Sequence, residues 1–239
     1  MRDCFGASAR QYQTRIRFLE ERRFKVNFLS ARQPRGATVV FGVVGGVGSG
    51  KSFTTAEFVA QGAARFDADE QARALYDDPD VLALLKKRWP DAVDSQNGVD
   101  RVAVAQIVFA PTERGRRELA FLNGVFHPRI LQKYRVWLEN ERANRREFVV
   151  LDAPLLIEVG WDRYVDYLVF VDASEQTRRR RTQARGWSGL EFKRREARQT
   201  PIEVKRARAD FIVNADQDDS QMARQVAQIL DAVRSSRGE

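Results

Sequence analysis

The sequence predicts an α/β protein in which helices flank a five-stranded parallel sheet with a doubly wound topology. Three observations support this fold class. Short apolar runs rich in β-branched residues alternate with longer segments of helical periodicity. Several of these runs end in polar residues, as buried parallel strands do. The first run leads into a glycine-rich loop and then directly into a helical segment.

The predicted strands, in chain order, are TVVFGVV, ARFDAD, EFVVLDAP, YVDYLVFVDAS and ADFIVN. A helix is predicted after the first strand, in KSFTTAEFVAQ. A longer helical region is predicted from Glu70 to about Arg146, with breaks at DDPD, PDAVDSQNGVD and APTERG. An amphipathic last helix is predicted from the apolar spacing of Met222, Val226, Ile229, Leu230 and Val233.

The composition indicates a soluble protein of a reducing compartment, and we expect it in the cytoplasm. The single cysteine, Cys4, excludes an internal disulfide, and no apolar run approaches the roughly 18 residues that a membrane-spanning helix needs. Residues 1–36 contain nine Lys or Arg and three acids, so they carry +6 of the net charge of +8. We expect residues 1–37 to be a basic, disordered extension; a nucleic-acid-binding arm is the less favoured alternative, because the segment has few aromatic residues for stacking.

The glycine-rich loop carries the clearest chemical signal. Gly45, Gly50, Lys51 and Ser52 match the spacing G-x-x-x-x-G-K-[ST] between a predicted strand and a predicted helix. In such a loop the backbone N–H groups surround a phosphate, the lysine reaches the terminal phosphates and the hydroxyl ligates Mg²⁺. The pattern therefore predicts a site for a nucleoside triphosphate. Its expected residues are Gly46, Val47, Gly48, Ser49, Gly50, Lys51, Ser52 and Phe53.

Acidic residues follow two of the predicted strands. Asp67 and Asp69 are two positions apart at the end of an extended run, so both side chains are expected on one side of it. There, one of them can accept a proton from an attacking hydroxyl; the alternative for Asp67 is a cap on the following helix. Asp152 ends an apolar strand as a Walker B aspartate does and is a candidate Mg²⁺ ligand, although an ordinary strand-end aspartate fits equally well.

A run of arginines follows the strand LVFVDAS. Arg178, Arg181 and Arg185 are three and four positions apart, so on a helix they would share one face. Such a face can clamp phosphate during transfer, whereas a solvated helix face or a nucleic-acid patch is the alternative interpretation. The charged segment that follows predicts a flap that closes over the nucleotide and excludes water.

Eight blocks of the sequence, in their order and approximate spacing, resemble the dephospho-CoA kinase family. They are GGVGSGKS, FDADE, GVDRVAVAQIVF, FHPRI, LDAPLLIE, VDASEQTRRRRTQAR, RREARQ and KRARADFIVN. The resemblance implies a P-loop kinase domain over residues 38–236, with a helical substrate subdomain at about 70–146 and a lid at about 186–205. It also implies transfer of the γ-phosphate of ATP, with Mg²⁺, to the ribose 3′-hydroxyl of dephospho-CoA. We expect a monomer that binds neither membrane nor nucleic acid.

The resemblance also implies roles for single residues. Asp69 resembles the general base on the ribose hydroxyl, with Asp67 orienting the water shell of the metal, and Lys51 and Arg181 complete the catalytic group. Gln199 and Lys205 match the lid and its base. The remaining implied contacts are Arg185 and Asn214 to the nucleotide, Arg101, His127, Pro154, Leu155 and Leu156 to the substrate, and Ser52 and Asp152 to the metal.

Some of these residues also have structural interpretations. His127, before Pro128, could mark a helix start, one of the two leucines could pack in the core, and Asn214 could serve ordinary turn chemistry. The chain departs from the family pattern at Val44, where threonine is usual, and at Phe53, which replaces a small hydroxyl residue after Ser52. These departures keep two alternatives open: another small-molecule P-loop kinase, acting on a nucleoside or nucleotide, or a catalytically impaired NTP-binding protein.

Overall fold

The computed structural model describes residues 34–94 and 98–237, so nearly all of the predicted extension lies outside the described residues. The central sheet has five strands: β1 (Val39–Gly45), β2 (Ala64–Asp67), β5 (Phe148–Asp152), β6 (Tyr167–Asp172) and β7 (Phe211–Asn214). Their spatial order is β2-β5-β1-β6-β7, which confirms the predicted fold class. β1 pairs in parallel with both β5 and β6, and β6 pairs in parallel with β7.

A second, two-stranded antiparallel sheet pairs β3 (Val93–Asp94) with β4 (Gly98–Val99). The sequence had indicated only a break in the helical region there. The α-helices of the described residues are α1 (Lys51–Ala60), α2 (Ala68–Ala74), α3 (Pro79–Arg88), α4 (Arg101–Val108), α5 (Glu113–Ala143), α6 (Glu175–Gln183), α7 (Gly189–Glu196), α8 (Ile202–Arg208) and α9 (Asp219–Arg237).

The chain divides into two compact units. The sheet unit comprises residues 34–65 and 145–237, and the helical unit comprises residues 66–144. In the sheet unit every residue of β1 is buried, and the ring of Phe41 lies 4.9 Å from that of Phe58 on α1. The predicted apolar stripe of α9 joins the same core, since Met222, Val226, Ile229, Leu230 and Val233 are all buried. In the helical unit, Phe66 packs edge-on against the buried Tyr134.

Three expectations about local structure are wrong. Asp69 does not continue an extended run, because β2 ends at Asp67 and α2 begins at Ala68. His127 does not mark a helix start, since it lies inside α5, which continues through Pro128. Arg185 does not share a helical face with Arg178 and Arg181, because α6 ends at Gln183.

Candidate functional site

The glycine-rich loop connects the buried strand β1 to the first turn of α1. Gly48 and Gly50 have φ angles of 74° and 106°, which glycine adopts without the steric cost that other residues have. Inside the loop, the Ser49 N–H donates to the Gly46 carbonyl at 3.1 Å. Helix geometry gives the N–H groups of the first turn of α1 no intrahelical acceptor, so this end of the helix favours an anion.

Two features of the loop are close packing around its first glycines and a buried hydroxyl group. A Cβ atom placed on Gly45 would approach Ser49 Oγ to 2.4 Å, and one on Gly46 would approach Arg178 Nη1 to 2.8 Å. Side chains are therefore excluded at Gly45 and Gly46, and only glycine allows this close packing of the loop against Ser49 and Arg178. The buried Ser49 hydroxyl has no hydrogen-bond partner within the described part of the chain. A buried polar atom of this kind commonly awaits a ligand or water, which a phosphate oxygen would supply.

The predicted metal ligands differ in their surroundings. Ser52 is exposed in the first turn of α1. Asp152 is buried at the end of β5, and its Oδ2 accepts hydrogen bonds from Arg65 Nε at 3.1 Å and Nη2 at 2.6 Å. Within the described residues, no cluster of three or more His, Cys, Asp or Glu side chains could hold a metal. The donor set still fits Mg²⁺, which keeps several waters and binds one or two protein oxygens beside substrate phosphates.

The acidic pair of the DAD motif lies at the junction of β2 and α2 in the helical unit. Asp67 Oδ1 accepts a hydrogen bond from the Glu70 N–H at 3.0 Å, so Asp67 is the N-cap of α2, the alternative that the sequence had left open. Asp69 follows in the first turn of α2, where a carboxylate interacts favourably with the helix dipole. The helix start thus fixes the backbone of both residues.

The two helical arginines contact the loop from α6. Arg181 Nη1 donates to the Ser49 carbonyl and Nη2 donates to the Ala215 carbonyl, both at 2.8 Å. Arg178 is 4% exposed, and its Nη1 lies 3.5 Å from the Val47 carbonyl. Arg181, which the sequence placed at the phosphate, is thus bound to backbone on two sides, whereas Arg185 is exposed after the helix. The contact of Arg178 with the loop was not predicted.

The segment predicted to form a lid, at about 186–205, contains α7 and the first part of α8, and ion pairs join it to neighbouring elements. Lys205 is 1% exposed and lies 3.1 Å from Glu158 Oε1, and its Nζ also donates to Gln199 Oε1 at 3.0 Å. The Thr200 N–H donates to the same Glu158 oxygen at 2.7 Å. On α7, Glu196 forms an ion pair with Arg178. These contacts connect the lid to the segment that follows β5 and to α6.

Burial and pairing shift the pKa values of this cluster. Burial lowers the pKa of Lys205 below 10.5, and the attraction of Glu158 offsets this only in part. Burial alone would raise the pKa of Glu158, but the Thr200 N–H and the Lys205 ammonium outweigh it, so the pKa lies below 4.5. At neutral pH Glu158 is therefore ionised, and its carboxylate balances the buried ammonium of Lys205.

The end of β7 forms a hydrogen-bonded turn. Asn214 Oδ1 accepts the Asp216 N–H at 3.0 Å, and the Asn214 N–H donates to Gln225 Oε1 at 2.8 Å. The Asp216 carboxylate in turn accepts from the Ser174 N–H, and a hydrogen bond from Thr177 contributes most to lowering its pKa. The Asn214 side chain thus has the turn role that the sequence had offered as an alternative.

The predicted substrate residues fall into two groups. In the helical unit, the Arg101 guanidinium lies 5.1 Å from the centre of the Tyr76 ring and 3.9 Å from Asp77, and burial lowers the pKa of His127. In the sheet unit, Pro154 and Leu155 are exposed. The substrate assignment of Leu156 is wrong: this residue is fully buried, and its Cδ1 would lie 3.1 Å from a Cβ on Gly42, so it packs against β1.

Arg65 is the residue at this site that sequence reasoning missed. It pairs with Asp152 across neighbouring strands of the sheet. A signal was present, since a charged residue inside the short strand ARFD needs a partner or exposure.

None of the helices in residues 34–94 and 98–237 is both long and apolar enough to cross a membrane.

Comparison with known proteins shows which family has this arrangement of residues. A family model described as dephospho-CoA kinase matches residues 39–221, a range that contains the P-loop, the DAD motif, Asp152, the arginines of α6 and the predicted lid. The chain belongs to the dephospho-CoA kinase family. Dephospho-CoA kinase family members are transferases of the P-loop kinase type that use ATP, in agreement with the resemblance noted in the sequence.

Individual relatives match the chain over most of its length. The dephospho-CoA kinase of Bartonella quintana is 32% identical, over 80% of this chain and 96% of the relative. The dephospho-CoA kinase of Gluconobacter oxydans is 34% identical, over 82% of this chain and 98% of the relative. The crystal structure of TT1252 from Thermus thermophilus is similar, with a TM-score of 0.71 and 29% identity, over 82% of this chain and 98% of that protein. The fold is also supported by the structure of a dephospho-CoA kinase from Campylobacter jejuni. It is 20% identical with a TM-score of 0.56, over 83% of this chain and 98% of that protein.

Proposed function

We propose that this protein transfers the γ-phosphate of ATP to the ribose 3′-hydroxyl of dephospho-CoA, which completes coenzyme A. The observation that carries the proposal is the family match over residues 39–221, because it contains every proposed site residue from Gly46 to Asn214. The geometry of the P-loop adds independent support for a phosphate ligand. In the transfer, the hydroxyl oxygen bonds to the γ-phosphorus, the bond to the β-phosphate oxygen breaks, and ADP leaves.

The residues of the chain have distinct tasks in this proposal. The loop amides bind the phosphates, and Lys51 neutralises the charge that develops between the β- and γ-phosphates. Asp69 takes the proton of the ribose hydroxyl, an assignment that rests on the family pattern of the DAD motif. Asp67 fixes the start of α2 through its cap and orients metal-bound water. Arg101 and His127 are proposed substrate contacts on the helical unit.

A magnesium ion is the proposed cofactor. Ser52 would ligate it directly and Asp152 would act through a water molecule, because Arg65 already binds Asp152 Oδ2. When bound, Mg²⁺ neutralises phosphate charge and aligns the transferred group. We further propose a cytoplasmic, monomeric enzyme.

The experiment that tests the function is ADP formation from Mg-ATP with and without dephospho-CoA, with mass spectrometry of the product. Wild type should form ADP only with dephospho-CoA present and should yield coenzyme A. Asp69→Asn should lower kcat by about 10²-fold or more, as expected for loss of a general base. Asp80→Asn, which changes an exposed carboxylate on α3, is the matched control and should leave kcat unchanged.

Asp67→Asn separates the two acids of the motif. Asparagine caps helices about as well as aspartate, so this variant keeps the start of α2 and removes only the charge. A larger loss in Asp67→Asn than in Asp69→Asn would transfer the base assignment to Asp67. ATP binding without turnover of dephospho-CoA would refute the proposed acceptor and favour a nucleoside or nucleotide kinase, or an NTP-binding protein without this activity.

A further inference from the structure

We propose that three cationic side chains, Lys205, Arg178 and Arg181, hold the carbonyl side of the P-loop and thereby point its amide groups at the phosphates. These three positioning residues are called the carbonyl cradle. The proposal rests on the proposed nucleotide site and adds residues that act on it through the loop backbone. All of its contacts lie within the sheet unit.

The cradle binds alternate carbonyls along the loop. Lys205 Nζ lies 3.4 Å from the carbonyl oxygen of Gly45, Arg178 Nη1 lies 3.5 Å from that of Val47, and Arg181 Nη1 lies 2.8 Å from that of Ser49. The carbonyls at two further positions are bound by backbone, since Gly46 accepts from the Ser49 N–H and Gly50 accepts from the Thr54 N–H. The cations thus supply the donors that the loop backbone itself does not provide at these three sites.

The alternation decides which amides face the ligand. In a trans peptide unit the C=O and the following N–H point in opposite directions. A cation on the carbonyl of Gly45, Val47 or Ser49 therefore turns the next N–H away from that cation. The next residue is glycine in every case, namely Gly46, Gly48 and Gly50. The cradle accordingly orients three N–H groups of the loop toward the side where a phosphate binds.

The hydrogen-bonding capacity of Lys205 supports a positioning role. An ammonium group has three donors, and Lys205 has three acceptors in Glu158, Gln199 and the Gly45 carbonyl. Its side chain is almost completely buried. In this arrangement no donor remains for a nucleotide. Lys205, which the family pattern places at the base of the lid, thus acts on the nucleotide through the loop backbone.

The cradle also connects the loop to the lid. Arg178 pairs with Glu196 on α7, and its guanidinium lies 5.3 Å from the centre of the Phe192 ring. Lys205 lies on α8, and its partner Glu158 also accepts the Thr200 N–H between the two lid helices. Glu196 and Glu158 balance two of the three positive charges. The chief effect of Arg178 and Lys205 is therefore the orientation of the loop and not its added charge.

The test measures ADP and ATP affinity by calorimetry on the full chain. Arg178→Met, Lys205→Met and Arg181→Met should each lower the affinity for ADP and for ATP by about tenfold and to the same extent. The reason is that losing one hydrogen bond to the loop makes the orientation of all its N–H groups less well defined. A side chain that touches only the γ-phosphate would instead weaken ATP and leave ADP unchanged. Arg178→Lys keeps a donor for the Val47 carbonyl and should recover most of the affinity.

The matched control is Arg179→Met. Arg179 neighbours Arg178 on α6 and has its own carboxylate, Glu175, but contacts none of the three loop carbonyls. Its nucleotide affinities should stay within about twofold of wild type. The cradle is refuted if the three cradle variants bind both nucleotides as tightly as wild type does, or if they lower the affinity for ATP alone. Wild type that binds ATP but does not turn over dephospho-CoA would overturn the proposed acceptor and leave the cradle intact.

Discussion

Both units of the chain bury charged side chains, but these side chains have different partners. In the sheet unit, the buried Lys205 and Arg178 contact carbonyl oxygens of the P-loop as well as the carboxylates of Glu158 and Glu196. In the helical unit, Glu118 is 6% exposed and accepts hydrogen bonds from Arg88 Nε at 2.8 Å, Arg88 Nη2 at 2.9 Å and Trp89 Nε1 at 3.0 Å. Arg88 is the last residue of α3, Trp89 is its C-cap, and Glu118 lies on α5.

The difference separates stability from function. The Glu118 cluster satisfies its own donors and acceptors, so its loss should weaken packing and leave ligand binding alone. The cations of the sheet unit direct part of their hydrogen bonding at the loop that binds phosphate. Substitutions there should alter nucleotide affinity by more than their effect on stability predicts. The following substitutions test this contrast, from the largest expected effect to the smallest.

Lys51→Ala should have the largest effect, on function alone. Lys51 is the first residue of α1, after the P-loop, and its proposed role is to neutralise the charge of the terminal phosphates. We expect kcat/KM to fall by about 10³-fold, equivalent to about 4 kcal/mol of transition-state stabilisation, with little change in the free energy of unfolding. Steady-state kinetics and urea unfolding measure the two quantities. Unchanged ATP affinity and turnover in this variant would refute every nucleotide-based interpretation of the loop.

A lysine of the helical unit provides the control for Lys51. Lys86 is exposed on α3, so Lys86→Ala removes the same charge from the chain without touching the loop. Its kcat/KM should remain within about twofold of wild type, as for most surface substitutions. A comparable loss in Lys86→Ala would mean that net charge, and not the position of Lys51, governs the binding of the polyanionic substrates.

The fold could be predicted from the sequence because its signals are local. The apolar runs located all five strands of the main sheet, and the spacing of glycines, lysine and serine located the P-loop between β1 and α1. The hairpin of β3 and β4 was missed, because two strands of two residues each give no alternating pattern. The cap at Asp67 was one of two alternatives, and the extended run was drawn two residues too long, since an aspartate can end a strand and cap a helix at once.

The side-chain contacts of the site could be predicted only in part. Sequence spacing placed Arg178 and Arg181 on one helix, but it could not show that their guanidinium groups bind Val47 and Ser49 carbonyls. Such contacts join residues more than a hundred positions apart, so no local pattern encodes them. Leu156 was misassigned for the same reason: a leucine beside a strand packs inward or outward according to its tertiary neighbours.

Glu118→Ala should have the next largest effect, on stability alone. The substitution leaves the buried Trp89 N–H without its acceptor and removes both hydrogen bonds to Arg88. We expect the free energy of unfolding to fall by about 2–3 kcal/mol, as for other buried polar groups that lose a partner. The affinity for ATP should not change. Chemical denaturation and calorimetry on the same sample measure both.

The control for Glu118 is Glu139→Ala on the same helix. Glu139 is exposed on α5, and its removal should change stability by no more than about 0.5 kcal/mol. If Glu118→Ala weakened ATP binding beyond the loss explained by unfolding, the contrast between the two units would be wrong. The buried charge of the helical unit would then also act on the nucleotide site.

Glu158→Gln should have the smallest effect, and its pH dependence identifies the cause. The folded-state pKa of Glu158 lies below 4.5, because the Thr200 N–H and the Lys205 ammonium outweigh the opposing effect of burial. A carboxylate whose pKa is lowered by folding stabilises the fold at pH values above its pKa in the unfolded state. This stabilisation is lost as the pH falls through its pKa in the folded state. The variant lacks this stabilisation at every pH.

We therefore expect Glu158→Gln to be about 1–2 kcal/mol less stable than wild type at pH 7, and this difference should shrink as the pH falls below 4.5. It should also shrink toward pH 10.5, because a buried lysine without its carboxylate releases its proton more readily. Urea unfolding across this range measures it, with the exposed Glu203→Gln on α8 as the control. A difference that is the same at pH 7 and pH 3.5 would mean that Glu158 acts by packing, and the ion pair with Lys205 would then have no part in holding the lid against the loop.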